Sequence, residues 1–137
     1  MTLYSSEIRG GDYERGGSAS SLLKERLKRI GADPAAIRKA MIAAYEAEMN
    51  VVIHAHGGHL NATMLPEELQ VEIVDHGPGI EDIDLAMQEG YSTAPDYIRE
   101  MGFGSGMGLP NIKKSTDSLT VNSMVGEGTT LVFTVRL

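Results

Sequence analysis

The chain has 137 residues, the length of one ordinary domain, and we expect residues 1–137 to form a single domain. Its net charge of −7 argues against general binding to nucleic acid or to anionic membranes. The absence of cysteine excludes disulfides and thiolate metal sites and fits the reducing cytoplasm. No apolar run approaches the roughly 20 residues of a membrane span, and the N-terminus lacks a signal-peptide pattern. We therefore expect a cytoplasmic protein that binds neither membrane nor nucleic acid.

The N-terminal part of the chain predicts one strand followed by two helices. Weak alternation indicates a strand over Leu3–Arg9. Ser18 is a candidate N-cap for a helix that ends at Gly31. Asp33, followed by a proline at the first helical position, opens a long helix whose apolar residues recur at 3.6 spacing to about Ala55.

The remainder alternates between hairpins and short helical segments. The predicted elements, in order, are strands at His59–Leu65 and Leu69–Val74, one or two helical turns at Ile83–Gln88, a long loop at Gly90–Gly106, a helix at Leu109–Lys114, and strands at Ser118–Met124 and Thr129–Leu137. Hairpins and helices are segregated along the chain. This order predicts an α+β, two-layer sandwich: a mixed, mostly antiparallel sheet covered on one face by helices.

The long helix carries a first chemical pair, Glu46 and Asn50. Residues four apart share a helix face, so both side chains point the same way. A carboxylate can accept a proton from a hydroxyl, and an amide oxygen suits Mg²⁺. The alternative interpretation of this pair alone is a solvated helix edge.

Two turns add polar groups at strand ends. Asp75 directly follows a strand and is followed by Gly77 and Gly79, which leave room for a flat ligand such as adenine. Thr129 and Thr130 begin the last strand, where a hydroxyl could reach a base through water. Ordinary turns, in which Asp and Gly are favoured anyway, remain the alternative for both segments.

A glycine-rich run, GFGSGMGL over residues 102–109, leads into a helix. Backbone N–H groups at a helix N-terminus bind phosphate, and glycines let the chain wrap around it. The run lacks the Gly-Lys-Ser/Thr of a Walker loop, and no clear strand precedes it as in a Rossmann fingerprint. A flexible surface loop is the alternative.

Together, these four groups resemble the GHKL ATPase superfamily, or Bergerat fold, in their order and spacing. The resemblance covers roughly residues 35–137. It is closest to the stand-alone serine kinases that regulate sigma factors, including anti-sigma factor kinases and stressosome switch kinases. The stretches EAEMNVVIH (residues 46–54) and GSGMGLPNIK (residues 104–113) carry it.

The resemblance implies a role for each matching residue. Glu46 would be the catalytic general base, Asn50 the Mg²⁺ ligand and Asp75 the acceptor for the adenine amine. The other implied nucleotide-binding residues are Gly77, Gly79, Gly104, Gly106, Met107, Gly108, Leu109, Thr129 and Thr130.

The resemblance also implies a function. We expect a protein serine kinase that uses ATP and Mg²⁺ and regulates a sigma factor, with an anti-sigma-factor antagonist of the STAS type or a sigma factor as partner. A homodimer is compatible with it. Sporulation-type kinases have an arginine where this chain has Gly104. That difference leaves open the alternative of a nucleotide-gated protein-binding module with little or no kinase activity.

Overall fold

The computed structural model describes residues 1–80, 82–88 and 108–137. Its elements, in chain order, are β1 (Thr2–Arg9), α1 (Ser18–Arg29), α2 (Pro34–His54), β2 (Gly57–Met64), β3 (Glu68–Asp75), α3 (Ile83–Ala86), α4 (Gly108–Ser115), β4 (Ser118–Met124) and β5 (Gly128–Arg136). The strands form one sheet in the order β1-β2-β3-β5-β4. All four pairings between these strands are antiparallel. The predicted α+β sandwich is therefore confirmed, with an antiparallel rather than a mixed sheet.

The core lies between the sheet and the helices on one of its faces. Each central strand alternates, so that every second side chain is buried on this face. The sheet contributes Leu60, Ala62, Leu69, Val71, Phe133 and Val135. Helix α2 contributes the buried alanines Ala36, Ala40, Ala43, Ala44 and Ala47, whose small side chains let the helix lie close to the sheet.

Helix α2 begins as the sequence predicts and runs for 21 residues. The Asp33 carboxylate accepts a hydrogen bond from the Ala36 N–H at 3.3 Å and so caps the helix, while Pro34 is its first residue. Ile37 and Val52, near its two ends, are both buried. The helix is thus held at its start by a local cap and along its length by the core.

The predicted N-cap of α1 is wrong. Ser18 is the first helical residue, and the capping position is Gly17, which has a φ of 97° and no side chain. A distant carboxylate does the capping instead: Glu48 of α2 accepts hydrogen bonds from the N–H groups of Gly17 (3.0 Å), Ala19 (3.2 Å) and Ser20 (2.9 Å). It also accepts one from the Ser20 hydroxyl at 2.7 Å. Glu48, which is distant in sequence, takes the capping role that the sequence assigned to Ser18, because its carboxylate lies directly beneath the start of α1.

Strand β2 begins at Gly57, two residues before its predicted start. These two additional residues belong to the strand because they are paired: Gly58 lies between Ile8 of β1 and Asp75 of β3. A side chain at Gly58 would collide with the carbonyl oxygen of Val74. The glycine therefore permits the close approach of strands at the sheet end that carries Asp75.

The remaining predicted helices are also present. Asp82 caps α3 by accepting a hydrogen bond from the Leu85 N–H at 3.0 Å, and α4 coincides with the helix predicted over Leu109–Lys114. The predicted loop at Gly90–Gly106, with Gly104 and Gly106, and also Met107, lie outside the described residues. Within the described ranges, none of the helices combines the length and apolar character needed to cross a membrane.

Candidate functional site

One edge of α2 presents two polar side chains toward α4. Glu46 and Asn50 are half-buried, whereas the intervening Glu48 is 2% exposed and points to α1. The Asn111 side-chain amide of α4 donates a hydrogen bond to Glu46 Oε1 at 3.3 Å. The predicted pair therefore shares one face, and α4 supplies a third polar group to it.

The first residue of α4 lies against this pair. A Cβ built on Gly108 would be 3.2 Å from Asn50 Oδ1 and 3.5 Å from Glu46 Oε2. The side chain of the next residue, Leu109, is buried in the core and anchors the helix start. An amide oxygen, a carboxylate and the N-terminus of a helix thus converge at one point, a combination suited to a metal-bound phosphate.

The second predicted group lies at the end of β3. Asp75 is half-buried, and its Oδ1 accepts hydrogen bonds from the N–H groups of Gly77 at 3.0 Å and Thr129 at 3.2 Å. The register of β3 with β5 sets Asp75 opposite Thr129. Gly79 has a φ of 79° and packs against the backbone of Met124. The turn after β3 and the start of β5 therefore form one hydrogen-bonded unit around this carboxylate.

The register separates the two predicted threonines. Successive residues of a strand face opposite sides of the sheet, so Thr129 shares the helix-covered face with the buried Leu131, whereas Thr130 faces the other side. The Thr129 hydroxyl lies 2.8 Å from the Ser123 hydroxyl. This arrangement favours Thr129 over Thr130 as a residue of the site.

Residues 35–137 match the family described as histidine kinase-, DNA gyrase B-, and HSP90-like ATPase. The chain belongs to this ATPase family. Membership implies that it binds a nucleotide, and the resemblance to GHKL ATPases that the sequence motifs indicated is confirmed.

Among relatives of this ATPase family, an anti-sigma F factor from Clostridium acetobutylicum is 35% identical over 96 residues, covering 66% of this chain and 64% of the relative. The serine/threonine-protein kinase RsbT from Bacillus subtilis is 29% identical over 116 residues, covering 82% and 81%. A third relative, an anti-sigma F factor from Caldanaerobacter subterraneus, is 34% identical over 92 residues and is covered over 61% of its length. The chain thus spans somewhat less than two thirds of these two anti-sigma F factors.

Solved structures show the same fold at low sequence identity. The RsbU and RsbW domains of Rv1364c from Mycobacterium tuberculosis match with a TM-score of 0.63 and 17% identity, over 98% of this chain and 33% of that one. The SiaB–SiaC complex from Pseudomonas aeruginosa matches with a TM-score of 0.61 and 12% identity, over 99% and 91%. These matches support the ATPase fold alone.

A half-buried histidine lies beside Asp75. His54 is the last residue of α2, and burial lowers its pKa while the neighbouring Asp75 carboxylate raises it by less. Burial lowers a histidine pKa because the charged form loses its hydration. Partial burial therefore favours the neutral form of the His54 imidazole.

Two residues of the site were not predicted from the sequence. Asn111 lies three residues after Gly108, so helical spacing from the glycine-rich run could have indicated it. Ser123 accepts a hydrogen bond from the Ile80 N–H at 2.7 Å and donates to the Gly128 carbonyl at 3.2 Å or to Thr129. Nothing in the sequence around Ser123 indicates this role, because its partner at Ile80 is 43 residues away.

Proposed function

We propose that the chain is an ATP-dependent protein serine kinase that regulates a sigma factor by phosphorylating and binding a partner protein. The observation that carries the proposal is the convergence of Glu46, Asn50 and the N-terminus of α4 at Gly108. A second support is that relatives of this chain include a serine/threonine-protein kinase and several anti-sigma F factors.

In this proposal the nucleotide spans two groups of residues. The adenine amine donates to Asp75 Oδ2, next to the floor formed by Gly77 and Gly79. The phosphates lie at the N-terminus of α4, where backbone N–H groups and the positive end of the helix dipole favour anions. The 510 Å³ cavity beside Lys24 and Tyr45 is lined by none of these residues and is not part of this site.

The donor set near Gly108 fits Mg²⁺. Asn50 Oδ1 is a hard oxygen ligand, the type that Mg²⁺ prefers, and the lack of a Cβ at Gly108 leaves space beside it. Asn50 would hold the ion. A bound Mg²⁺ would neutralise charge that develops on the transferred phosphoryl group.

The chemical step uses Glu46 as the general base. A serine hydroxyl of the partner protein loses its proton to the Glu46 carboxylate while its oxygen forms a bond to the γ-phosphorus of ATP. The bond from that phosphorus to the β–γ bridging oxygen breaks, and the electron pair leaves with ADP. Asn111 donates to Glu46 Oε1, which leaves Oε2, on the Gly108 side, available for the proton.

The test measures whether the labelled γ-phosphate of ATP is transferred to a partner protein. The partner used is the anti-sigma-factor antagonist whose gene lies nearest to the gene of this chain. We expect a labelled serine on that protein. Glu46→Gln should slow transfer roughly 100- to 10,000-fold, because the amide cannot accept the proton, while calorimetry shows ATP affinity close to that of the unmodified chain. A loss of ATP affinity equal to the loss of transfer would contradict the role of Glu46 as base.

A second function is favoured by Gly104, which stands where the sporulation-type kinases have arginine. Without that cation, phosphoryl transfer loses one source of charge stabilisation. The chain would then act as a nucleotide-gated binding module. The same assay separates the two functions: an unlabelled partner whose binding still requires ATP would support the module and exclude the kinase.

A further inference from the structure

Positive charge is concentrated on the two N-terminal helices. Residues 15–45 carry seven basic and two acidic residues, a net charge of +5; the other residues hold five basic and seventeen acidic residues, a net charge of −12. The seven basic side chains are all exposed: Arg15, Lys24, Arg26, Lys28, Arg29, Arg38 and Lys39. The molecule is therefore strongly asymmetric in charge despite its overall acidity.

Few of these cations are ion-paired within the described part of the chain. Arg15 Nε lies 3.8 Å from an oxygen of Asp12, and both groups are partly solvated. Over the ranges that the structure describes, no ion pair involves the other six basic side chains. An acidic partner could therefore approach them without first breaking existing ion pairs.

A groove runs between the basic helices. A cavity of about 510 Å³ is lined by Lys24 of α1, by Met41 and Tyr45 of α2, and by Glu14 and Arg15 of the preceding loop. Lys28 follows Lys24 by one helical turn and shares its helix face. We call the surface formed by Arg15, Lys24, Lys28, Met41 and Tyr45 the basic groove.

Apolar side chains accompany the charge. Tyr45 is 42% exposed, and Ile42, three residues earlier on α2, is 44% exposed. Aromatic residues and methionine are enriched in protein–protein interfaces. Cations beside exposed aliphatic and aromatic groups are suited to a partner that is acidic on one side and apolar on the other.

We propose that the basic groove binds an acidic amphipathic helix of a partner protein. Helix α1 has 12 residues and is about 18 Å long, so it can align with about three turns of a partner helix. A short acidic segment would end within the positive region. A nucleic acid or an anionic membrane would extend beyond it onto the remainder of the chain, whose net charge of −12 repels polyanions.

The proposal does not rest on the proposed kinase function, because no residue of the basic groove belongs to the proposed nucleotide site. Its test therefore uses the full chain without nucleotide. The probe is a fluorescein-labelled helical peptide, about three turns long, with glutamates on one face and leucines on the other. Fluorescence anisotropy measures its affinity at low and at physiological salt.

We expect the peptide to bind with an affinity that falls as salt rises. The double variant Lys24→Glu/Lys28→Glu should weaken binding at least about tenfold, because like charges then face each other. Tyr45→Ala should weaken it at both salt concentrations. The control is Arg136→Glu, an exposed basic residue at the end of β5, which should leave peptide affinity unchanged. Thermal unfolding of each variant verifies that the fold is intact.

Several results would overturn the proposal. One is equal affinity for a peptide in which glutamine replaces glutamate; another is an equal loss of affinity in Arg136→Glu. Tighter binding of a DNA duplex or of phosphatidylglycerol vesicles than of the peptide would assign the surface to a different partner. Salt-sensitive self-association in sedimentation that Lys24→Glu/Lys28→Glu abolishes, with no peptide binding, would assign it to a second copy of the chain.

Discussion

Asp75 divides its two carboxylate oxygens between the fold and the proposed pocket. Oδ1 accepts from the N–H groups of Gly77 and Thr129, whereas Oδ2 accepts no hydrogen bond from the described part of the chain. The first oxygen thus fixes the turn after β3 against β5. In the proposed pocket, the second would accept a hydrogen bond from an exocyclic amine of a nucleotide base.

This division predicts the effect of Asp75→Asn. The asparagine oxygen can keep both backbone hydrogen bonds, but its amide nitrogen then faces the adenine amine, donor against donor. We expect ATP affinity to fall about 10- to 100-fold, the cost of losing a charge-assisted hydrogen bond. Calorimetry measures the affinity, and circular dichroism should show an unchanged fold. Unchanged ATP affinity would contradict the assignment of the adenine pocket.

At the residue scale, the sequence was sufficient to predict which polar side chains lie close together when a single helix or strand positions them. Glu46 and Asn50 could be paired because four residues is one helical turn. Asp75 could be located because it ends a clearly alternating strand. Ser123 could not be identified, because its hydrogen bond to Ile80 depends on a turn packing against a distant hairpin. The roles of Gly104, Gly106 and Met107 stay predictions.

At the scale of elements, helix α2 carries two carboxylates, Glu46 and Glu48, that are two positions apart and have different environments. Glu48 is buried and accepts four hydrogen bonds from the start of α1, whereas Glu46 is half-buried and accepts one long one. The sequence Glu-Ala-Glu does not distinguish them. Burial does, because only Glu48 lies under the end of another helix.

The pair supplies a matched test. Glu48→Gln replaces an acceptor by an amide that can satisfy only part of the donors, so we expect the free energy of unfolding to fall by about 2–4 kcal/mol. Glu46→Gln should lower it by less than about 1 kcal/mol, since its carboxylate is partly solvated. Urea unfolding followed by circular dichroism measures both. Equal effects would show that capping by Glu48 contributes little.

Strand β4 holds the pocket turn to β5 through Ser123. We expect Ser123→Ala to weaken ATP binding about 3- to 10-fold and to cost about 1 kcal/mol of stability, because the Ile80 N–H and Thr129 lose their partner. Ser118→Ala is the control: its hydroxyl bonds the Thr134 hydroxyl at 2.6 Å on the exposed part of the same strand pair. It should leave ATP affinity unaltered. A parallel loss in both variants would indicate general strand weakening rather than a role in the site.

At the scale of the whole molecule, helix α2 contacts α1, α4 and the end of β3. Its first turn is capped locally by Asp33, its middle caps α1 and faces α4, and its last residue, His54, lies beside Asp75. The α+β architecture could be predicted because the hairpins and helices have clear periodicity. The contacts between elements could not, because they depend on how side chains far apart in sequence meet across α2.

His54 links this arrangement to pH. Its pKa is lowered in the folded chain because burial disfavours the charged imidazole, and Asp75 offsets only part of this effect. Well above about pH 6.5, the ordinary histidine pKa, the imidazole is neutral in both the folded and the unfolded state and contributes no pH dependence. As pH falls below that value, the unfolded chain takes up a proton that the folded chain does not. The free energy of unfolding therefore falls until the folded-state pKa is reached.

We expect urea unfolding to show this loss of stability as pH falls below about 6.5. His54→Gln cannot take up the proton, so the slope of unfolding free energy against pH in this range should become shallower. Comparison of the two proteins at each pH cancels the contribution of the carboxylates, which are common to both. Parallel slopes would mean that His54 takes up its proton equally in the folded and unfolded states. Burial would then not lower the pKa of His54 in the folded chain.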